Sequence, residues 1–274
     1  MPLGLFRSPT FTGANLLTLL LYAALGGLLF FLPFNLIQVQ GYTTTGAGAA
    51  LLPFVLVMFL LSRWTGSLVE RFGSKRPLVV GPVIAAAGFA LFALPGAEAG
   101  SYWTSFFPAV MVMSLGMTVS VAPLTTTVMG AVEERRAGVA SGINNAVSRT
   151  AALLAVAVFG VFMLDAFQSS LAERLSTMPV PSEVRAHLVG HSGDLVSLKI
   201  PDSVSGEAQA AIRDAVRKSF VAGFRLVAHL AAGLALMSAF ATWWLIAGKA
   251  RRETENDVPR HGGQSTEGRA HERT

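Results

Sequence analysis

From Ser8 to Ser62 the chain runs without a single Asp, Glu, Lys, Arg or His, and from Pro77 to Ala97 it does so again. A helix that crosses a bilayer needs roughly 20 mostly apolar residues. Measured against that length, the apolar runs predict six spans. The first four are about Asn15 to Val39, Ala47 to Leu68, Leu78 to Leu94 and Trp103 to Met129. A fifth lies between Gly138 and Gln168, and a sixth is about Val221 to Gly248. No run alternates as a lipid-facing barrel strand would, and unpaired backbone groups are costly in hydrocarbon, so the spans are expected to be helices. The expected fold class is therefore an all-α integral membrane unit of six transmembrane helices.

Composition supports lipid as the solvent: 52% of the residues are hydrophobic and only 14% charged, where a soluble domain carries about 25% charged residues. The net charge of +5 raises the question of nucleic acid, and the placement of the basic residues answers it. The loops after spans one and three carry no Lys or Arg. Arg63, Arg71, Lys75 and Arg76 follow span two, Arg135 and Arg136 follow span four, and a basic cluster from Lys249 to Arg273 follows span six. Short basic loops stay cytoplasmic. Both termini are thus expected inside a plasma (cell inner) membrane, with the lipid bilayer rather than nucleic acid as the partner.

This orientation divides the chain into an N-terminal linker (1–14), five transmembrane helices (15–168), an outside loop (169–218), the sixth helix (219–248) and a disordered cytoplasmic tail (249–274). Within the loop, Ala208 to Lys218 reads as a helix running into span six, with Ser203 or Ser205 as caps. The absence of cysteine removes disulfides and thiolate chemistry. No metal-ligand cluster, phosphate loop, serine elbow or intramembrane pair of acids points to an enzyme, a metal or a cofactor.

The stretch GSLVERFGSKRP, Gly66 to Pro77, concentrates charge between two uncharged spans. Its Gly66, Leu68, Glu70, Arg71, Gly73, Lys75 and Arg76 resemble the signature loop of the major facilitator superfamily, found between the second and third helices of each six-helix half. Ser74 departs from the basic residue usual there. VAPLTTTVMG (Val121 to Gly130) and GVASGINNAVSRTAALLAVAVFG (Gly138 to Gly160) resemble helices four and five of the C-terminal half in the fourteen-helix drug:proton antiporters. A long loop before the last helix is also similar to that branch. The resemblance covers Leu3 to about Arg252. It implies that MPLGLFRSPTF is an interior linker, that Met1 is internal, and that the chain is a fragment lacking its N-terminal half.

Each candidate residue has a functional and a plain reading. Gly66, Glu70, Arg71, Gly73, Lys75 and Arg76 form a conformational gate that holds one face closed through charge-assisted contacts, or simply a solvated turn. Asn144 and Asn145 line a substrate cavity or bond to neighbouring helices; adjacent residues point about 100° apart on a helix, so they do not share one job. Arg149 snorkels to the cytoplasmic surface if the fifth helix's core is Thr150 to Leu171, which is the favoured placement; if the core is Ile143 to Leu164, it lies inside and needs a partner. The resemblance also places Asn35, Gln38, Met113 and Met117 on cavity helices, although a Met stripe is more often packing. Gly26, Gly27, Gly81 and Gly88 are expected to let helices approach closely.

Proton coupling needs a titratable group in the membrane. Spans one, two, three, four and six have no Asp or Glu in their apolar cores. Asp165, near the outer end of helix five, and His229, one turn beyond Arg225, are the weak candidates. The reading that follows is the C-terminal half of a proton-coupled efflux transporter for apolar or cationic compounds, inactive without an N-terminal half or a second copy. The alternative is a membrane scaffold or regulatory protein whose outside loop binds a partner.

Overall fold

The computed structural model describes residues 3–98, 100–178 and 206–246, together with Arg185, Leu188 and Gly190, and for residues 66–70 the backbone alone. All regular structure in it is helical. A 3-10 turn (Leu3–Arg7) leads into α1 (Pro9–Phe34), where the Ser8 hydroxyl accepts the Phe11 N–H and Pro9 occupies the first turn. Proline is suited there because it lacks an N–H that would be orphaned anyway. Pro33 sits at the far end of α1, and the chain continues as a π-turn, Asn35–Val39. After a short α2 (Thr44–Ala49) come α3 (Leu52–Phe72), α4 (Lys75–Leu91), a single turn α5 (Tyr102–Ser105) and α6 (Phe107–Gly130). A 3-10 turn (Glu134–Arg136) precedes α7 (Ala137–Ser176), and α8 is Gly206–Leu245.

Among the described residues, five stretches are long and apolar enough to cross a membrane: Pro9–Val39, Thr44–Thr65, Phe107–Gly130, Glu134–Ser176 and Gly206–Leu245. The remaining predicted span, the third, corresponds to α4, whose 17 residues are shorter than these. Beyond Leu91 its helix tightens, with Phe92, Ala93 and Leu94 each donating to the carbonyl three residues back. The predicted loop from Ser169 also changes form. Helix α7 runs on to Ser176 and α8 begins at Gly206, so much of that segment prolongs the two helices. The proposed caps Ser203 and Ser205 and the tail after Ile246 lie outside the described residues.

Helix α4 is wedged between α6 and α8, α1 between α7 and α8, and α3 lies along α6. Lipid is as apolar as leucine, so association within a membrane rests on close contact of the helices themselves. Gly116 of α6 meets the backbone of Ala85 and the Gly81 carbonyl of α4, and Gly88 of α4 meets the backbone of Met113. On the other side, Gly26 of α1 meets Ala152 of α7, and Gly27 meets the ring of Phe159. The expected close approach at Gly26, Gly27, Gly81 and Gly88 is what the structure has.

The seam between α1 and α7 is parallel and in register. Thr18 meets Asn144, and Gly26 meets Ala152, with the same offset in numbering at both contacts. That register sets the depth of every residue on α7.

Gly116→Leu would drive its side chain into backbone that cannot move aside, at a cost of about 1–3 kcal/mol or more. Gly142, on an exposed face with nothing within 4 Å of an added Cβ, is the control: Gly142→Ala should be neutral or stabilising by about 0.5–1 kcal/mol. Thermal unfolding in detergent compares the two; equal melting temperatures would show that the α4–α6 seam is not close-packed.

Candidate functional site

Two helices are conspicuously under-covered. Only 11% of the apolar stretch through α3 and 28% of that through α7 is buried, against 56% in α6. On α3 the bare face carries Leu52, Val55, Leu56, Phe59 and Leu60. On α7 it recurs at helical spacing through Gly142, Asn145, Arg149, Leu153 and Ala157 to Val161 and Asp165. Both helices flank α6.

Arg149 stands out on this face. The register of α7 on α1 puts it level with Ala23, beside the middle of the Pro9–Val39 stretch. It is exposed on the bare face and forms no hydrogen bond or ion pair among the described residues. A hydrocarbon core is roughly 30 Å thick, so an arginine at its middle is about 15 Å from either surface, beyond the reach of its side chain. Of the two placements open from the sequence, this register sits closer to a core of Ile143 to Leu164. Helix α7 starts at Ala137, twelve residues before Arg149. An arginine at the centre of a membrane helix costs about 2.5–3.5 kcal/mol on insertion scales.

Asn144 and Asn145 separate as their spacing requires. Asn144 turns toward α1, where Thr18 Oγ1 lies 2.6 Å from its Oδ1 and 2.9 Å from the Ala14 carbonyl. Asn145 stays on the bare face below Arg149. One turn before Thr18, Asn15 donates to the Phe11 carbonyl while its buried Oδ1 has no hydrogen-bond partner. Sequence reasoning missed Asn15 and Thr18, since a lone hydroxyl in an apolar run carries no sign of which neighbour it meets.

The remaining candidates scatter. Met113 and Met117 are buried in the core rather than on a bare face, Met113 against Gly88. Asn35 is buried in the π-turn and Gln38 is exposed beside it. Asp165 is level with Val39 at the far end of α1. His229 is exposed on α8, about eight residues deeper than Asp165 as judged from the Gly223–Met163 contact, which is roughly 12 Å of helix. The structure does not bring them together.

At the signature loop, Gly73 ends α3 with φ of +73° and only Ser74 separates it from α4. Glycine is the residue that takes this left-handed turn without penalty. Arg71 and Arg76 are exposed and Lys75 half-buried, with no ion pair among the described residues. Arg76 edges an otherwise apolar groove of about 420 Å³ with Phe72, Pro77, Val80, Ile84 and Val119. The side chains of Gly66 and Glu70 lie outside the described set.

At the opposite end Arg217, in the stretch Ala208 to Lys218 that was expected to be a helix leading into the last span, acts as a staple. Its guanidinium donates to the carbonyls of Val39 (2.7 Å) and Ala97 (2.6 Å), tying the ends of α1 and α4 to α8. Gln40 donates to the Gly96 carbonyl at 2.9 Å, and Tyr102 to the Ala50 carbonyl at 2.7 Å. Burial, with Tyr42 nearby, raises the Tyr102 pKa, so this phenol keeps its donor proton near neutral pH. Among the described residues no group of His, Asp and Glu could hold a metal.

The family model of the Major Facilitator Superfamily matches residues 2–156. The tetracenomycin C resistance and export protein of Streptomyces glaucescens is 28% identical over 244 residues, 87% of this chain and 44% of that protein. The tetracycline resistance determinant of Streptomyces rimosus is 25% identical over 96% of this chain and 79% of its own length. The multidrug efflux pump LfrA of Mycolicibacterium smegmatis is 24% identical over 87% of this chain and 46% of its own. Among solved structures, an inward-facing bacterial homolog of the human lysosomal transporter Spinster matches in fold, with a TM-score of 0.58 and 18% identity. That match covers 90% of this chain and 52% of the other. The chain thus spans about half the length of most of these proteins.

Removing the staple should be felt. Hydrogen bonds from charged donors contribute about 1.5–3 kcal/mol each, so Arg217→Gln should lower the melting temperature in detergent clearly more than Arg213→Gln, whose side chain is exposed. Equal losses would mean that the staple carries no load. For Thr18 and Asn144, a double-mutant cycle with Thr18→Val and Asn144→Leu should give a coupling of about 0.6 kcal/mol, the average for such bonds in membranes. A coupling of zero would mean the two side chains do not bond.

Proposed function

The chain belongs to the major facilitator superfamily, is a multi-pass membrane protein, and we propose that it forms one six-helix half of a secondary transporter expelling drug-like apolar or cationic compounds. The observation that carries this reading is the pair of under-covered helices, α3 and α7, on a chain about half as long as its export relatives. Transporters of this architecture move substrate by rocking one half against the other around a midplane site. A single half offers one wall of that site, and α3 and α7 present it.

In this reading α4 is the third span, since 17 residues reach the lower limit of what crosses a bilayer. Both termini are cytoplasmic in the plasma membrane, by the basic loops. The turn at Gly73 with Glu70, Arg71, Lys75 and Arg76 then lies at the cytoplasmic face, where its charges hold that side closed until the halves rock. The staple at Arg217 fixes the outer end as one rigid block, so motion concentrates between the halves. Asp165 at the outer surface is poorly placed for proton coupling. The coupling acid is therefore supplied by the other half, and this chain alone does not pump. Asn145 and Arg149 face the substrate path, while Asn144 serves helix packing.

The test is accumulation of a fluorescent lipophilic cation in cells lacking their own efflux pumps. This chain joined to the membrane segment that precedes it in its source should lower accumulation several-fold. A protonophore should abolish the difference, and the chain alone should match an empty vector. Unchanged accumulation with the joined protein would refute the reading.

A further inference from the structure

Arg149 presents a problem that the described residues do not solve. It sits at mid-depth on the bare face of α7, and the helices packed against α7 offer it no counter-charge. Neither α1 nor α6 contains an acid, and the two of α8, Glu207 and Asp214, lie toward its start. On α7 itself the next acid is Asp165, 16 residues on and roughly 24 Å along the axis.

We propose that Arg149 pairs with a carboxylate buried at the same depth in the membrane half that covers α7, and that this ion pair is the charge-bearing contact between the two halves. The inference rests on the half-transporter reading and narrows it. Whatever covers α7 must bring a negative charge to the bilayer midplane. A second copy of this chain cannot, because none of the described helices carries an acid at that depth; it would add another arginine instead. Charge complementarity therefore selects a half of different sequence. Guanidinium and carboxylate match as a fork with two parallel hydrogen bonds, and Asn145, one turn away on the same face, can donate an amide hydrogen to the same acid. A pair held across the interface also suits a moving part. Separation exposes two charges that water in the opened cavity can solvate, and closure restores the bond.

The chain has no cysteine, which makes the test clean. In the protein joined to its preceding membrane segment, Leu153→Cys, one turn from Arg149 and 74% exposed, is combined with a cysteine one turn from each membrane-embedded acid of that segment. Oxidation should give an intramolecular disulfide with one of them. In parallel, Arg149→Glu should cut efflux by about tenfold or more, since breaking a buried pair leaves a charge unpaired. Exchanging the partner acid for lysine should restore it, and Arg149→Lys should keep partial activity. A disulfide between two Leu153→Cys chains, efflux unaffected by Arg149→Ala, or a loss that no acid-to-lysine exchange reverses would each overturn the pair. The cross-link needs no transport. A protein that cross-links as expected but expels nothing would refute the efflux reading and keep the pair.

Discussion

Close approach of helix backbones at glycine is the contact on which this structure depends. Within lipid there is no hydrophobic gain from bringing two apolar helices together, so the helices must fit well enough for many weak dispersion contacts to add up. Gly116 on Ala85, Gly88 on Met113 and Gly26 on Ala152 remove side chains where they would hold the helices apart. The consequence reaches beyond stability. Because α1 and α7 lock in one parallel register, Arg149 is held level with Ala23 of α1.

Polar groups sort by depth around this packing. In α6, Ser114, Thr118, Ser120 and Thr127 each donate to the carbonyl four residues back, which satisfies the hydroxyl without leaving the helix. Side chains that tie one helix to another are Thr18 with Asn144, five residues before Arg149, and Arg217, Gln40 and Tyr102 at the far end. The bare α7 face between them holds a charge without a partner. A closed, self-sufficient bundle would not be built this way. A half that meets another would.

Much of this was legible in the sequence, for physical reasons. Uncharged runs of membrane length can only be helices in lipid, so span positions followed from counting; α4 proved short because its last turn tightens after Leu91. The glycines at 26, 27, 81 and 88 announced close packing because an apolar helix has little other use for them. Depth was harder to read. Helix α7 begins at Ala137, within a residue of the expected Gly138, but the start of a helix does not say where it enters lipid, so the level of Arg149 came only from its register on α1. Arg217 was not singled out, for a related reason. Its partners are backbone carbonyls 178 and 120 residues away, and a carbonyl leaves no mark in a sequence. For Met113 and Met117 the resemblance offered a cavity helix and the Met spacing offered packing, and position along a helix alone does not tell a face packed on a neighbour from one that opens on a path.

The central claim is that the bare faces of α3 and α7 are covered by a second set of membrane helices different from these. The most direct measurement is the mass of the detergent-solubilised particle drawn from its native membrane by an antibody against residues 261–274, by native mass spectrometry with sequencing of every component. The account predicts a particle containing this 28.9 kDa chain and a further membrane half of different sequence, covalently joined or not. A particle composed of this chain alone, as a monomer or with copies of itself, would contradict it.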